Sequence, residues 1–408
     1  MKAAVIAVGN EVLFGDTVNT NGAFVAAELT AAKVQVVLQT VVPDQISQLV
    51  AAISQARRVA DLVVLIGGLG PTVDDITRQA IADATGCPLQ LDPTALADVE
   101  RYFAERRRPM SQSNRQQALV PVGGQALANE RGTAPGLWLE VDSQVMVALP
   151  GPPIELAPMF RETVLPRLRQ RLEGGRQVIW LRTSGIGEST LQDMLGDLLT
   201  TTNPSVLPYA KLGEVHLRIL ADAASQPAAE QMAAQRLAAV MALIGPYVYG
   251  QGDVSLESVL LDRLRQRRQT VALAESATGG LISARLSDPA GASQVFLGGS
   301  IVYTASAKVH FGALDAGELR RHGPVSAWAA EELAHSVRHQ LDATWGLASC
   351  GWAGPEADGE VGLAYTAVAG SAGVTWREHR LGHNRHDVRH RLAQAALWHL
   401  YQVLDEAE

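Results

Sequence analysis

A hydroxyl nucleophile and an amine base form the clearest chemical pair in the 408-residue chain. Ser276 lies in the stretch Ala-Glu-Ser-Ala-Thr-Gly-Gly, Tyr303 follows it, and Lys308 is the first lysine after the serine. A lysine that is buried away from water has a lowered pKa and can accept the serine proton, while a tyrosine can relay that proton. The same three residues are also compatible with an N-cap serine, a core-edge tyrosine and an exposed lysine.

The elements around Ser276 are predicted to place it beside free backbone N–H groups. An apolar strand over residues 271–274 leads into the serine, and an amphipathic helix begins near Leu281. Free N–H groups at a helix start favour negative charge, and glycine inside a strand often marks a close backbone approach. The candidate oxyanion and substrate contacts are therefore Thr278, Gly279, Gly280, Gly298 and Gly299.

A second candidate site combines glycines with paired carboxylates. The apolar strand 62–66 ends in Gly-Gly-Leu-Gly-Pro-Thr, and Asp74 and Asp75 follow at a predicted helix start. Glycines let a ligand approach the backbone, and paired carboxylates suit Mg²⁺ that bridges a phosphate. Glu155, in the first turn of a later helix, could complete this site. The stretch lacks both the P-loop and the dinucleotide-binding signature, and an acidic pair is also typical of an ordinary helix start.

Composition and charge exclude several classes of protein. The chain is 47% hydrophobic and 19% charged, as expected for two to four globular domains, and its net charge of −8 argues against direct nucleic-acid binding. Cys87 and Cys350 are far apart and form no metal-binding spacing. The N-terminus reads as a strand rather than a signal peptide, and no apolar run is long enough to cross a membrane. A cytoplasmic location without a membrane partner is predicted.

Strands and helices alternate along most of the chain. This pattern predicts an α/β protein whose sheets are mostly parallel and covered by helices. The predicted domains are residues 1–170, 171–250 and 253–408, with a small α+β unit in the middle. Ligands in such sheets bind at the carboxyl ends of the strands, where both candidate sites lie.

Several stretches resemble the CinA family (competence/damage-inducible protein A). In the first domain they are Gly9-Asn10-Glu11, the run 67–78, Gly132-Thr133-Ala134-Pro135-Gly136 and Leu149-Pro150-Gly151-Pro152-Pro153. In the third domain they are the runs 274–280, 288–299 and 303–308. The resemblance covers nearly the whole chain. It implies an N-terminal three-layer α/β/α molybdopterin-binding-like domain, a small α+β KH-like domain and a C-terminal α/β/α amidohydrolase domain.

For the C-terminal domain, the resemblance implies hydrolytic deamidation of nicotinamide mononucleotide to nicotinate mononucleotide and ammonia. Ser276 would be the nucleophile, and Lys308 with Tyr303 would handle the proton. No cofactor is implied for this domain. The substrate contacts implied here, besides those above, are Gly354, Arg385 and Arg389.

For the N-terminal domain, the resemblance implies a divalent-metal-dependent ADP-ribose pyrophosphatase. Mg²⁺ or another divalent cation would be held by Asp74 and Asp75, with Glu155 as a weaker ligand. The diphosphate would be cradled by Gly68, Gly70 and Thr72, with Asn21 as a further substrate contact. The KH-like domain is expected to have a structural or dimerising role, and the family implies a homodimer.

This chain departs from the family pattern at several positions, which leaves other functions open. Ala277 follows the nucleophile where the family has cysteine, Trp352 stands in a tight loop, and the acidic residue that precedes Arg385 in the family is missing. An amidase or esterase with a different substrate is one alternative. The other is a non-catalytic competence or DNA-damage binding protein.

Overall fold

The computed structural model describes residues 1–355, 359–382 and 384–406. The predicted α/β class is confirmed, although every large sheet contains antiparallel neighbours. The chain forms two compact units, Met1–Gln177 with Asp222–Ala229 and Val178–Ala221 with Glu230–Glu408. The second unit contains most of the small middle sheet together with the C-terminal domain. The three domain ranges given above therefore stay a prediction.

The N-terminal domain is built on a six-stranded sheet in the order β2-β1-β3-β8-β7-β6, with β4 and β5 forming a separate ribbon. Its strands are β1 (Lys2–Val8), β2 (Gln35–Val42), β3 (Leu62–Ile66), β4 (Leu89–Leu91), β5 (Leu119–Pro121), β6 (Gln125–Leu127), β7 (Gly136–Val141) and β8 (Gln144–Leu149). Strands β2, β1, β3 and β8 are parallel, whereas β7 and β6 are antiparallel to their neighbours.

Helices cover both faces of this sheet. They are α1 (Asn10–Leu13), α2 (Thr20–Ala31), α3 (Ile46–Val59), α4 (Thr77–Thr85), α5 (Pro93–Glu105), α6 (Pro153–Met159) and α7 (Leu165–Arg169). Successive residues of β1 enter opposite cores, with Val5 in one and Ala4 and Ile6 in the other. A strand that is buried on both faces reads as a continuous apolar run, and this is why β1 and β3 are visible in the sequence.

The middle of the chain folds into a four-stranded sheet in the order β10-β11-β9-β12. Its elements are β9 (Gly175–Ser184), α8 (Glu188–Leu195), β10 (Ser205–Lys211), β11 (Glu214–Ala223), α9 (Gln226–Ile244) and β12 (Val248–Gln251). Leu181, Leu217 and Val240 are among the buried residues of its core. The alternation of buried residues along β11 matches the predicted α+β unit.

The C-terminal domain has a five-stranded sheet in the order β14-β13-β15-β16-β17, in which the first three strands are parallel. Its elements are α10 (Leu256–Gln266), β13 (Val271–Glu275), α11 (Leu281–Ser287), β14 (Phe296–Ile301), α12 (Ala305–His310), α13 (Ala316–His322), α14 (Ala327–Gln340), β15 (Trp345–Gly351), β16 (Leu363–Gly370), β17 (Gly373–Arg380) and α15 (Arg385–Glu406). Leu273 and Ala274 of β13 enter opposite cores, so the sheet is the middle of three layers.

Within residues 1–355, 359–382 and 384–406, no helix combines the length and the apolar character that a bilayer crossing requires.

Candidate functional sites at the ends of two sheets

Ser276 lies directly after the central strand of the C-terminal sheet. Strand β13 pairs with β14 on one side and β15 on the other. The Ser276 N–H donates to the carbonyl of Ser349 at 3.0 Å, which continues the pairing with β15 by one residue. Only 4% of Ser276 is exposed. The hydroxyl is therefore held at the carboxyl end of the strand in an almost dry position.

Lys308 reaches this hydroxyl from the helix that follows the edge strand β14. The Thr304 hydroxyl caps α12 by accepting from the Ala307 N–H, and this cap fixes the turn that carries Lys308. The Lys308 Nζ lies 2.8 Å from the Ser276 Oγ and 3.4 Å from the Val302 carbonyl oxygen. The exposed fraction of Lys308 is 2%. The structure thus brings the predicted nucleophile and base into hydrogen-bond contact.

The surroundings of Lys308 favour the neutral amine. Burial lowers the pKa of Lys308, and the nearby Cys350 thiol only partly opposes this effect. Burial also raises the pKa of Cys350, so the thiol supplies no negative charge at neutral pH. In the described part of the chain, no carboxylate forms an ion pair with Lys308. A lowered pKa makes the neutral amine easier to populate, and the neutral form is the one that a general base requires.

Glu275 changes the expected role of the helix start. Its two carboxylate oxygens accept from the N–H groups of Gly280 and Ile282 at 3.1 and 3.0 Å, and from the N–H and hydroxyl of Ser283 at 2.7 and 2.6 Å. This side chain is 1% exposed. Helix α11 therefore begins five residues after Ser276, at Leu281, and its first N–H groups are already occupied.

The expectation that Thr278, Gly279 and Gly280 all offer free oxyanion donors is therefore corrected. The Gly280 N–H is bound by Glu275, and the Gly279 N–H donates to the Ser276 carbonyl at 3.0 Å. The Thr278 hydroxyl lies 3.0 Å from the Ser349 hydroxyl. Within the described residues, the N–H groups of Ala277 and Thr278 have no assigned acceptor. These two groups are the remaining donors next to the nucleophile.

We expect Glu275→Gln to lower the free energy of unfolding by about 2–4 kcal/mol, because an amide cannot accept from all four donors and presents its own N–H groups to some of them. Chemical unfolding of the full chain measures this loss. The matched change at the exposed Glu332 should stay within about 0.5 kcal/mol of the parent protein. Equal effects at both positions would contradict a supporting role for Glu275.

Gly298 and Gly299 are not brought to the nucleophile. Their partners across the sheet are Ala272 and Leu273. Leu273 precedes Ser276 by three residues, or about 10 Å along the strand. A Cβ atom on Gly299 would lie 2.3 Å from the Leu273 carbonyl oxygen, so this glycine allows close pairing of two strands. The role of the pair as an oxyanion hole is a wrong prediction.

Tyr303 does not join the proton path of Ser276 and Lys308. Half of the residue is exposed, and its hydroxyl accepts a hydrogen bond from Arg385. Among the described residues, neither Ser276 nor Lys308 hydrogen-bonds to it. The prediction that Tyr303 relays the serine proton is therefore wrong for this structure. The Arg385 guanidinium instead holds the Tyr303 phenol at the rim of the site.

Two arginines on one face of α15 connect the loops around the serine. Arg385 donates to the carbonyl of Gly354 at 2.6 Å, and Arg389 donates to the carbonyl of Thr278 at 2.8 Å. Gly354 has φ +70, which favours glycine in this turn. In the described part of the chain, neither guanidinium forms an ion pair. Both positive charges are therefore available to an anionic ligand beside the serine.

The N-terminal candidates surround a cavity of about 460 Å³ at the carboxyl ends of β1 and β3. Gly68, Gly70 and Asn21 line it, but Thr72 does not. Its acidic lining residues are Glu11, Asp44, Asp74, Asp75 and Glu155. No lysine, arginine or histidine is found among its described lining residues. An anion can therefore enter this cavity favourably only together with a cation.

Asp75 shapes the glycine loop. Its carboxylate accepts from the Gly70 N–H at 2.7 Å, from the Thr72 N–H at 2.8 Å and from the Thr72 hydroxyl at 2.5 Å.

Thr77 packs against the start of the same loop, where its hydroxyl donates to the Gly67 carbonyl at 2.8 Å. A Cβ on Gly68 would lie 2.4 Å from the Thr77 Oγ1. Gly68 is thus required for packing inside the loop.

The three predicted metal ligands do not form a ready cation cage. Asp75 is used by the loop, the Asn129 amide donates to the Glu155 carboxylate at 2.7 Å, and Asp74 is exposed. Across the residues that the structure describes, no three His, Cys, Asp or Glu side chains are grouped for one ion. The lining carboxylates fit Mg²⁺ that arrives on a diphosphate, since Mg²⁺ binds through one or two carboxylates plus substrate phosphates.

Comparison with known proteins finds family models that match three successive stretches of the chain. Family models match residues 4–170 as a probable molybdopterin binding domain, 180–250 as the damage-inducible protein CinA KH domain and 253–404 as the CinA C-terminal domain. A competence-damage inducible protein of Moorella thermoacetica is 41% identical over 410 residues, which is 99% of each chain. One of Halothermothrix orenii is 38% identical over 411 residues, again 99% of each chain. The chain belongs to the CinA family.

Solved CinA structures cover parts of the chain. The crystal structure of CinA from Thermoplasma acidophilum has 37% sequence identity to this chain. The aligned region covers 40% of this chain and 97% of the Thermoplasma acidophilum chain, with a TM-score of 0.38.

The sequence alone does not identify two supporting residues of this chain, Glu275 and Arg78. Glu275 had one signal, since an acid beside the nucleophile at a strand end can cap the next helix. Arg78 follows the acidic pair in the sequence and is buried. It donates to the carbonyls of Leu69 at 2.7 Å and Pro135 at 3.0 Å. Burial lowers the pKa of Arg78 to about 10, which leaves it charged at neutral pH and able to hold the two loops together.

Proposed function

We propose that the C-terminal domain hydrolyses the carboxamide of nicotinamide mononucleotide, giving nicotinate mononucleotide and ammonia. The observation that carries this proposal is the 2.8 Å approach of the buried Lys308 amine to the Ser276 hydroxyl, without a carboxylate partner in the described chain. A serine activated by an unpaired amine suits acyl transfer from an amide. The family resemblance of residues 274–280 and 303–308 supports the choice of substrate.

The reaction would proceed through an acyl-enzyme. The Ser276 Oγ attacks the carboxamide carbon while the Lys308 amine takes the hydroxyl proton. The N–H groups of Ala277 and Thr278 stabilise the negative oxygen of the tetrahedral intermediate, as the residue after the nucleophile does in related turns. Lys308 then gives its proton to the leaving nitrogen, and ammonia departs. Water, deprotonated by the same amine, attacks the ester, and the amine returns that proton to the Ser276 oxygen as the acid product leaves.

Arg385 and Arg389 are suited to the phosphate of this substrate. Guanidinium groups bind phosphate through paired hydrogen bonds, and these two stand one helical turn apart beside the nucleophile loop. Tyr303, held by Arg385, would then form part of the substrate wall instead of the proton path.

The direct test is to incubate the purified full chain with nicotinamide mononucleotide and measure ammonia and nicotinate mononucleotide. Equal amounts of both products are expected. A panel of other carboxamides and esters separates this activity from an amidase of different specificity. Turnover of another member but not of nicotinamide mononucleotide would reassign the substrate, and no turnover of any member would favour a binding protein.

We also propose that the N-terminal cavity hydrolyses ADP-ribose, taken up as its Mg²⁺ complex. The charged side chains described in the lining are all acidic, and this supports the proposal because a free diphosphate would meet five carboxylates without a cationic side chain among them. Carboxylates that line the cavity would hold the ion, which would supply positive charge to offset that of the diphosphate. Gly68 and Gly70 shape the loop that faces it.

For this site we expect Asp75→Ala to reduce ADP-ribose hydrolysis at least about tenfold, because three donors of the loop lose their acceptor. The exposed Asp16→Ala is the matched control and should leave the rate unchanged. Mg²⁺ alone should show no saturable binding by calorimetry. Hydrolysis that survives both chelation and Asp75→Ala would contradict the proposal.

A further inference from the structure

We propose that a cavity between the KH-like sheet and the C-terminal domain binds a phosphorylated small molecule. The cavity has a volume of about 760 Å³ and lies within the compact unit Val178–Ala221 with Glu230–Glu408. Its walls come from the β9–α8 loop, the β10–β11 turn, β17 and α15. None of the residues around Ser276 described above lines it.

Positive charge dominates this cavity, although the chain as a whole is acidic. Its lining carries the cationic residues Lys211, Arg377, Arg380 and Arg391 and the acidic residues Glu188 and Glu214. The net charge of the chain is −8. A concentration of cationic groups in a cleft attracts anions, and the low-dielectric walls strengthen that field.

Arg380 is neutralised by Glu360 at 2.6 Å and Glu378 at 3.0 Å, so the positive charge left in the cavity is that of Lys211, Arg377 and Arg391, which the lining carboxylates offset little. The Glu214 carboxylate already accepts from Tyr249 at 3.0 Å and from Gln394 at 2.7 Å, and it pairs with His216 at 2.8 Å. Glu188 is exposed at the first turn of α8. His379 also lines the cavity, but burial and the charge of Arg377 lower its pKa to about 4, so it is neutral.

Arg391 is a cationic residue of this cavity that lacks hydrogen-bond acceptors from the described protein. Its Nε is buried and has no hydrogen-bond partner in the described chain. No described carboxylate forms an ion pair with Arg391 or Lys211. In the described chain no side-chain nitrogen of Arg391 donates a hydrogen bond to the protein, so its terminal guanidinium nitrogens are left for an anionic ligand in the cavity. Phosphate oxygens are the acceptors that guanidinium groups match best.

The shape of the cavity favours a small molecule over a nucleic acid. A volume of about 760 Å³ lies within the usual range of small-ligand pockets. A KH module clamps a nucleic-acid backbone with an open glycine loop. Here a Cβ on Gly185 would lie 2.2 Å from the Trp398 Nε1, so that loop is packed against α15. Single-stranded RNA is therefore not the expected occupant.

The test uses inorganic pyrophosphate as the probe and hydrogen exchange of the full chain as the readout. We expect pyrophosphate to slow exchange in peptides spanning 205–214 and 373–380, which lie in the walls of this cavity. Arg391→Gln should weaken the affinity obtained from that protection at least about tenfold, and the exposed Lys211→Gln should also weaken it. The exposed Arg320→Gln, with the same loss of charge, should bind as the parent does.

Absence of protection in these two peptides would overturn the proposal. Equal protection in the parent, Arg391→Gln and Lys211→Gln proteins would do so too. Stronger protection by a single-stranded RNA than by pyrophosphate would replace the small molecule with a nucleic acid. None of these readouts depends on turnover, so the outcome is independent of the two proposed activities.

Discussion

Lys308→Met should abolish ammonia release from nicotinamide mononucleotide and at the same time make the protein more stable. The rate should fall at least about 10³-fold, because methionine cannot take the Ser276 proton. The free energy of unfolding should rise by about 1–3 kcal/mol, because methionine fills the same space without a polar group at a position that is 2% exposed.

The stability gain should depend on pH in one direction. Burial lowers the pKa of Lys308 in the folded protein, whereas the unfolded chain keeps the ordinary value of 10.5. Between these two values, the unfolded chain binds one more proton than the folded protein. Parent stability from this group therefore decreases by about 1.4 kcal/mol for each pH unit that the solution becomes more acidic. The advantage of the variant grows as the pH falls from 10.5 towards the folded-state pKa.

Hydrogen exchange of β13 and β15 under denaturant reports the stability of the domain that contains the dyad, Ser276 and Lys308. It is measured between the folded-state and unfolded-state pKa values of Lys308. The exposed Lys2→Met is the matched control and should change neither the rate nor the pH dependence. Parent activity should rise with pH through the lowered pKa of Lys308. A variant that is less stable than the parent, or still active, would contradict the assignment of a neutral buried base.

Ser276→Ala should have a comparable effect on catalysis with a small effect on stability. Loss of the attacking oxygen should reduce ammonia release by about 10³-fold or more, while the free energy of unfolding should change by about 1 kcal/mol or less. The exposed Ser293→Ala is the matched control and should retain full activity.

ADP-ribose hydrolysis should be the same in Ser276→Ala and the parent protein, because the N-terminal cavity contains neither member of the dyad. This second assay reports on the N-terminal domain alone, and the unfolding measurement shows whether the domain that contains Ser276 has folded. Unchanged ammonia release after removal of the hydroxyl would exclude the serine as the nucleophile.

The sequence predicts the strand before Ser276 and the helix after it, because residues 271–274 of β13 are all apolar and α11 has an amphipathic pattern. The sequence does not predict which side chain binds the N–H groups at the start of α11. Glu275 is adjacent to the serine in sequence, but only the fold decides that its carboxylate turns towards Gly280 and Ser283. The free donors expected at that helix start are lost for this reason.

Glycines and acids are the residues that sequence reasoning assigns least well. Gly299 permits a close strand pair, and Gly68 makes room for Thr77, so neither glycine is explained by a ligand alone. Asp75 was expected to face an ion, yet its oxygens hold the backbone of Gly70 and Thr72. Composition and motif identify such loops, whereas the direction of each hydrogen bond depends on the packing around them.

Helix α15 has a geometric consequence for the whole C-terminal unit. Its first turns touch the nucleophile loop through Arg389, and later along the same rod Gln394 donates to Ser184 and Glu214 of the KH-like sheet. Inserting one residue between Arg389 and Gln394 would rotate every later side chain by about 100° and advance it by about 1.5 Å. The number of residues between Arg389 and Gln394 thus fixes both the distance and the angle between the two contacts. Relatives should therefore vary the side chains along this segment more readily than its length.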